Sequence, residues 1–103
     1  MQFTELDITI LGLKSNEYSA GDILDKINEK LEIAVGEILY SQLTKQQLTD
    51  FLAVLESSPQ NANIWLRENI PSYPSAIAAA RKSIEHDINQ QPNNKSKIDW
   101  LFV

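Results

Sequence analysis

The chain has 103 residues, a formal net charge of −5 and a hydrophobic fraction of 43%, values typical of one globular domain. It contains no cysteine, which excludes disulfides, thiolate metal sites and cysteine nucleophiles. The acidic balance, without a Lys/Arg stripe, argues against nucleic acid as a partner, and no apolar run approaches the ~20 residues of a membrane span. We therefore expect a cytoplasmic protein that binds neither nucleic acid nor membranes.

The first element is short, and two interpretations of it compete. Thr4 is followed by acidic residues as a helix N-cap would be, and Gly12 is placed to end a helix in the left-handed conformation. The β-branched run of residues 8–10 favours an extended segment instead. We favour a helix of about two turns.

The next element gives the clearest pattern of the chain. In "SAGDILDKINEKLEIAVGEILYSQL" the apolar residues recur at helical spacing, which predicts one long amphipathic helix with a single buried stripe. That stripe consists of Ile23, Leu24, Ile27, Leu31, Val35, Ile38 and Leu39. Gly36 interrupts the helix at a cost of about 1 kcal/mol relative to alanine, so we expect another helix to cross closely there.

Three further helices follow the long one. "TKQQLTDFLAVLESS" opens with the Thr44 and Gln47 capping box, and we expect a buried face made of Leu48, Phe51, Leu52 and Leu55. "NANIWLRENIP" predicts a short helix stopped by Pro71, and "SYPSAIAAARKSIEHDINQQ" a longer one with a thin alanine side. The predicted fold is therefore all-α: a compact antiparallel bundle of about four helices plus a short N-terminal element. The bundle would span residues 1–90, followed by a polar linker at 91–97 and an apolar tail at 98–103.

Several motifs together resemble a family of short all-helical bacterial domains of unknown function, over roughly residues 10–88. These motifs are Leu11-Gly12-Leu13, Leu43-Thr44, Gln47-Leu48, Asp50-Phe51, Trp65-Leu66 and Ile70-Pro71-x-Tyr73. The resemblance implies a bacterial helical domain without known catalytic residues. The apolar tail lies outside it.

No group of residues predicts catalysis, a cofactor or a metal. His86 is the only histidine, and its acidic neighbours diverge from it around a helix, so we expect it on a solvated surface. Asp22, Asp25, Glu29 and Glu32 share one helix face, but interspersed lysines favour a solvated face there as well. We therefore expect a protein that is not an enzyme.

The sequence ends in an apolar tail, "KIDWLFV", on an otherwise polar stretch. Exposed apolar side chains in this number need cover, so we expect a protein-interaction module whose tail docks on its own bundle, on a second copy or on a partner. The expected partner-binding residues are Ile98, Trp100, Leu101, Phe102 and Val103, together with Trp65, although Trp65 is more typical of a core. Two alternatives stay open: a helical leader of a peptide precursor with the tail as its modified core, and an acidic inhibitor or immunity-type protein.

Overall fold

The structure is a computed structural model that describes residues 2–102, apart from the side chain of Asn63. These residues form helices and no strands, which confirms the all-α prediction. The helices are α1 (Glu5–Leu11), α2 (Ala20–Tyr40), α3 (Lys45–Ser57), α4 (Ala62–Asn69), α5 (Tyr73–Asn89) and α6 (Asn94–Phe102), with a 3₁₀ turn at Pro59–Asn61 between α3 and α4.

The N-terminal element is a helix, as we favoured, and both of its predicted ends are confirmed. The backbone N–H of Thr4 donates to the Asp7 carboxylate at 2.8 Å, and the Thr4 hydroxyl accepts from the backbone N–H of Asp7. Gly12 closes the helix with φ of 72°, in the left-handed region where a residue without Cβ is not strained. These two caps outweigh the β-branched residues between them.

The centre of the molecule is the packing of α2 against α5. The predicted stripe of α2 is confirmed, since Ile23, Ile27, Leu31, Val35 and Leu39 are buried and Leu24 and Ile38 are half-buried. They meet the buried side of α5, which includes Ala76, Ile77, Ala80, Ile84 and Ile88. The alanines in this set thin α5 on its inner side, which lets α2 approach it.

Residues 94–102, which the sequence divides between a linker and a tail, form one helix, α6, which packs on α2 and α5. The predicted boundary between linker and tail, at residue 97, falls inside this helix. Asn93, which lies in the predicted linker, is the N-cap of α6, because its side-chain oxygen accepts from the backbone N–H of Ser96 at 2.9 Å. The body accordingly contains an additional packed helix.

The predicted buried face of α3 is wrong, because no residue of α3 is buried. This helix packs on α4 and on the 3₁₀ turn, and the three together form a hairpin. The molecule measures 45 × 23 × 22 Å, and its radius of gyration of 15.2 Å exceeds the roughly 13 Å of a compact chain of this length. The elongation is consistent with a hairpin that the body covers only in part.

The close helix crossing expected at Gly36 is not present. Apart from atoms of residues 35–37 and the adjacent backbone of α2 itself, no heavy atom of the described residues lies within 4 Å of the position that a Cβ of residue 36 would take. This glycine therefore keeps the ordinary cost of glycine inside a helix, with no packing benefit to offset it.

We predict that Gly36→Ala stabilises the protein by about 1 kcal/mol, which corresponds to a rise in Tm of roughly 4–8 °C. Thermal unfolding followed by circular dichroism measures it. Gly12→Ala is the matched control and should lower Tm, because it places a Cβ at φ of 72° and 3.3 Å from Lys97 Nζ. An unchanged or lower Tm for Gly36→Ala would mean that this position is crowded after all.

Candidate interaction surface

The structure places two of the expected tail residues in the core. Ile98 is 5% exposed and Leu101 is fully buried, whereas Trp100 and Phe102 are half-buried. Val103 lies outside the described residues. Neither Ile98 nor Leu101 is accessible to another chain while α6 stays docked.

Polar and aromatic contacts hold α6 in place. The ring of Phe102 stacks on that of Tyr18 with centroids 3.8 Å apart, and Lys30 Nζ lies 4.9 Å from the Trp100 ring centroid. Lys97 Nζ donates to the backbone carbonyl of Leu11 at 2.8 Å, at the C-terminal end of α1, where helix carbonyls lack intrahelical partners. The hydrogen bond from Lys97 therefore links α6 to α1.

Trp65, the remaining expected binding residue, belongs to the hairpin. It is half-buried, with its ring centroid 5.8 Å from that of Phe51 on α3. Because α6 packs on α2 and α5 while Trp65 packs on α3, the structure assigns the expected binding residues to two different neighbourhoods.

Two seams of heptad spacing run along α3. Gln47, Phe51 and Val54 form one seam, and all three are half-buried, as expected of the side that packs on α4 and the 3₁₀ turn. Leu48, Leu52 and Leu55 form the other, turned by about 100° because each residue follows a member of the first seam by one position. We call these three residues the leucine seam.

The leucine seam lacks full cover. Leu52 is 46% exposed and Leu55 is 41% exposed, while Leu48 is half-buried. Spacings of four and three residues place the three side chains on one line, the pattern by which a helix packs against a neighbouring helix. Sequence periodicity identified these leucines but assigned them to the core.

Another exposed apolar pair lies on α1, where Leu6 and Ile10 are 68% and 72% exposed. They span about one turn of a seven-residue helix, whereas the leucine seam spans about two turns of a 13-residue helix. Two half-buried aromatic side chains lie on the same hairpin, Phe51 on α3 and Trp65 on α4. Aromatic residues are enriched at protein interfaces. The leucine seam is therefore the stronger candidate.

The histidine and the acidic residues considered in the sequence analysis lie on the solvated surface. His86 is exposed on α5, and Asp22, Asp25, Glu29 and Glu32 are exposed on α2, as predicted. Within residues 2–102, no group of three or more His, Asp or Glu side chains is arranged to hold a metal ion.

The Asp7 carboxyl group has a pKa that its surroundings lower. The hydrogen bond from the backbone N–H of Thr4 lowers its pKa below the ordinary value of 3.8, and Arg81, whose Nη2 lies 3.4 Å from Asp7 Oδ2, adds to this effect. Arg81 also lies 4.6 Å from the centroid of the Phe3 ring. These contacts tie α5 to the N-terminal segment.

A lowered pKa in the folded state makes the Asp7 contribution to stability depend on pH. The contribution is complete above the unfolded pKa and is lost as pH falls through the folded value. We predict that the stability difference between the wild type and Asp7→Asn is largest near neutral pH and shrinks below about pH 4. Urea unfolding at pH 7, 4 and 2.5 measures it; a difference that stays constant with pH would contradict the assignment.

The comparisons place the chain in a family. No helix within residues 2–102 combines the length and the hydropathy needed to cross a membrane. No curated protein and no solved structure shows a significant match to the chain. The model of DUF5663, a family of proteins of unknown function, matches residues 9–88, which agrees with the resemblance over roughly residues 10–88. The chain thus belongs to the DUF5663 family, and α6 lies outside the matched region.

Proposed function

We propose that this protein is a non-enzymatic protein-interaction module whose leucine seam on α3 packs against a helix of another protein chain. The observation that carries the proposal is a line of three leucines in heptad register, two exposed and one half-buried, on a helix that has no buried residue. In helical bundles a helix packs its apolar seam against a neighbouring helix, and α4 with the 3₁₀ turn accounts for the side of α3 that carries Phe51 and Val54.

Covering the leucine seam is energetically worthwhile. Burying a fully exposed leucine side chain contributes about 1.5–3 kcal/mol. Leu52 and Leu55 retain a little under half of their exposure, so covering both would contribute roughly 1.5–3 kcal/mol in total. On its own that amount corresponds to a dissociation constant in the millimolar range or weaker, so apolar surface on the partner has to contribute as well.

The residues expected at the binding site have a different role in this proposal. The tail docks on its own bundle, where α6 completes the core through Ile98 and Leu101 and leaves the hairpin as the binding element. Burial of these two side chains counts against the precursor alternative, since an enzyme that modifies the tail would first have to detach α6. Neither a nucleic-acid nor a membrane partner has a place in the proposal, which keeps the expectations drawn from the charge of −5 and from the apolar runs of the sequence.

Site-specific photocrosslinking in the native host tests the proposal. A photoreactive amino acid at position 52 should give a light-dependent adduct with a protein, because that side chain would lie in the interface. The same residue at position 50 is the matched control, since Asp50 is exposed and lies about 160° away around α3. No adduct from position 52, or equal adducts from both positions, would contradict the proposal.

A further inference from the structure

We infer that the chain which covers the leucine seam is a second copy of this protein, with the two α3 helices packed antiparallel about a two-fold axis near Leu52. This inference rests on the proposed function and names its partner. It follows from the arrangement of apolar and charged residues along α3.

The leucine seam is complementary to itself. Leu52 lies near the middle, with Leu48 four residues before it and Leu55 three residues after it. In an antiparallel pair, a two-fold axis near Leu52 would bring Leu48 of each copy towards Leu55 of the other. Such an interface is isologous, so both copies use the same surface and the assembly closes as a dimer.

The charges at the two ends of the seam favour this antiparallel orientation. Lys45 precedes Leu52 by seven residues and Glu56 follows it by four, so both lie within about 40° of Leu52 around the helix. Antiparallel packing would bring Lys45 of each copy towards Glu56 of the other, whereas parallel packing would align like charges. Both residues are exposed, and neither joins an ion pair anywhere in residues 2–102.

The size of the surface predicts weak association. The 13 residues of α3 span about 20 Å, and one such helix pair buries less than the ~1,200 Å² at the lower end of standard interfaces. We therefore expect a dimer that dissociates on dilution. Sedimentation of the full chain between ~10 μM and ~1 mM should show the average mass rising from 11.7 kDa towards twice that value.

Leu52→Lys should weaken association at least tenfold, because it places two lysines near the two-fold axis. Ser57→Lys is the matched control: it adds the same charge on the exposed side of α3, about 140° from Leu52, and should leave association unchanged. Circular dichroism of both variants confirms folding. A dimer that persists in Leu52→Lys would overturn the inference.

A charge exchange tests the antiparallel orientation independently. Lys45→Glu alone and Glu56→Lys alone should each weaken association several-fold, and the double variant should restore it, because the exchanged charges attract again. Each change also places the favoured sign of charge at its end of the helix dipole, so loss of α3 would not explain a weaker dimer. If the double variant associated more weakly than either single variant, by the sum of the two losses of affinity, that result would contradict antiparallel packing.

The outcomes separate this inference from the proposed function. A chain that stays monomeric up to ~1 mM, with a photoadduct at position 52 that contains a different protein, would overturn the second copy and support the interaction module. A monomeric chain without any adduct at position 52 would contradict both.

Discussion

Leu101→Ala is expected to lower the free energy of unfolding by about 3 kcal/mol, within the range for a buried leucine cut to alanine. Leu101 is fully buried, in a core shared with side chains of α2 and α5. The substitution removes buried methyl groups and leaves a cavity that the adjoining helices cannot readily fill. The expected loss is large for the third-last residue of a sequence.

Urea unfolding followed by tryptophan fluorescence and circular dichroism measures this loss. Asp99→Ala is the matched control, because Asp99 is exposed on the same helix and its removal should change stability by less than about 0.5 kcal/mol. Equal and small effects for the two variants would show that α6 is not part of the cooperative unit.

Ile27→Ala should have an effect of similar size, about 3 kcal/mol. Ile27 is fully buried in the middle of the α2 stripe, whereas Ile33 on the same helix is 55% exposed. Both substitutions delete the same atoms and exchange a β-branched residue for the best helix former, so the difference between them isolates burial.

Urea unfolding of Ile27→Ala and Ile33→Ala, compared at their midpoints, measures the two losses of stability. Ile33→Ala should stay within about 0.5 kcal/mol of the wild type. A loss for Ile33→Ala that approaches the loss for Ile27→Ala would place Ile33 inside an interface, and the assigned orientation of α2 would then require revision.

The positions of helices were predictable from the sequence where interactions between neighbouring residues determine them. The stripe of α2 and the caps of α1 and α3 involve residues within a few positions of one another. In α3, the Gln47 side chain accepts from the backbone N–H of Thr44 at 3.0 Å, and the Thr44 hydroxyl accepts from that of Gln47 at 3.1 Å. Signals of this kind are present in the sequence before any tertiary contact forms.

Burial of α3 was not predictable from the same information. The spacing of Leu48, Leu52 and Leu55 states which side of the helix is apolar, but it does not state whether the chain supplies a neighbour for that side. In this fold α3 packs on α4 and the 3₁₀ turn. Whether the apolar side of a helix is covered depends on the tertiary arrangement. The leucine seam, which the sequence analysis assigned to the core, is for this reason the candidate site.

The start of α6 was missed for a related reason. Asn93 follows Pro92, and such a pair is typical of both loops and helix starts. The expectation that the terminal apolar residues need cover was nevertheless sound, and Ile98 and Leu101 are covered within their own chain. Apolar density identified the need for a surface, while only the packed structure identifies which surface supplies it.

The central claim is that the leucine seam of one copy packs against the leucine seam of a second copy, and a single-cysteine variant gives a direct test of that pairing. The natural sequence has no cysteine, so Leu52→Cys carries a unique thiol, and Ser57→Cys provides the same thiol on the opposite side of α3. We predict that a short bismaleimide, added at ~100 μM protein, rapidly forms a covalent dimer through position 52 and only slowly forms one through position 57. Equal rates at the two positions would contradict it.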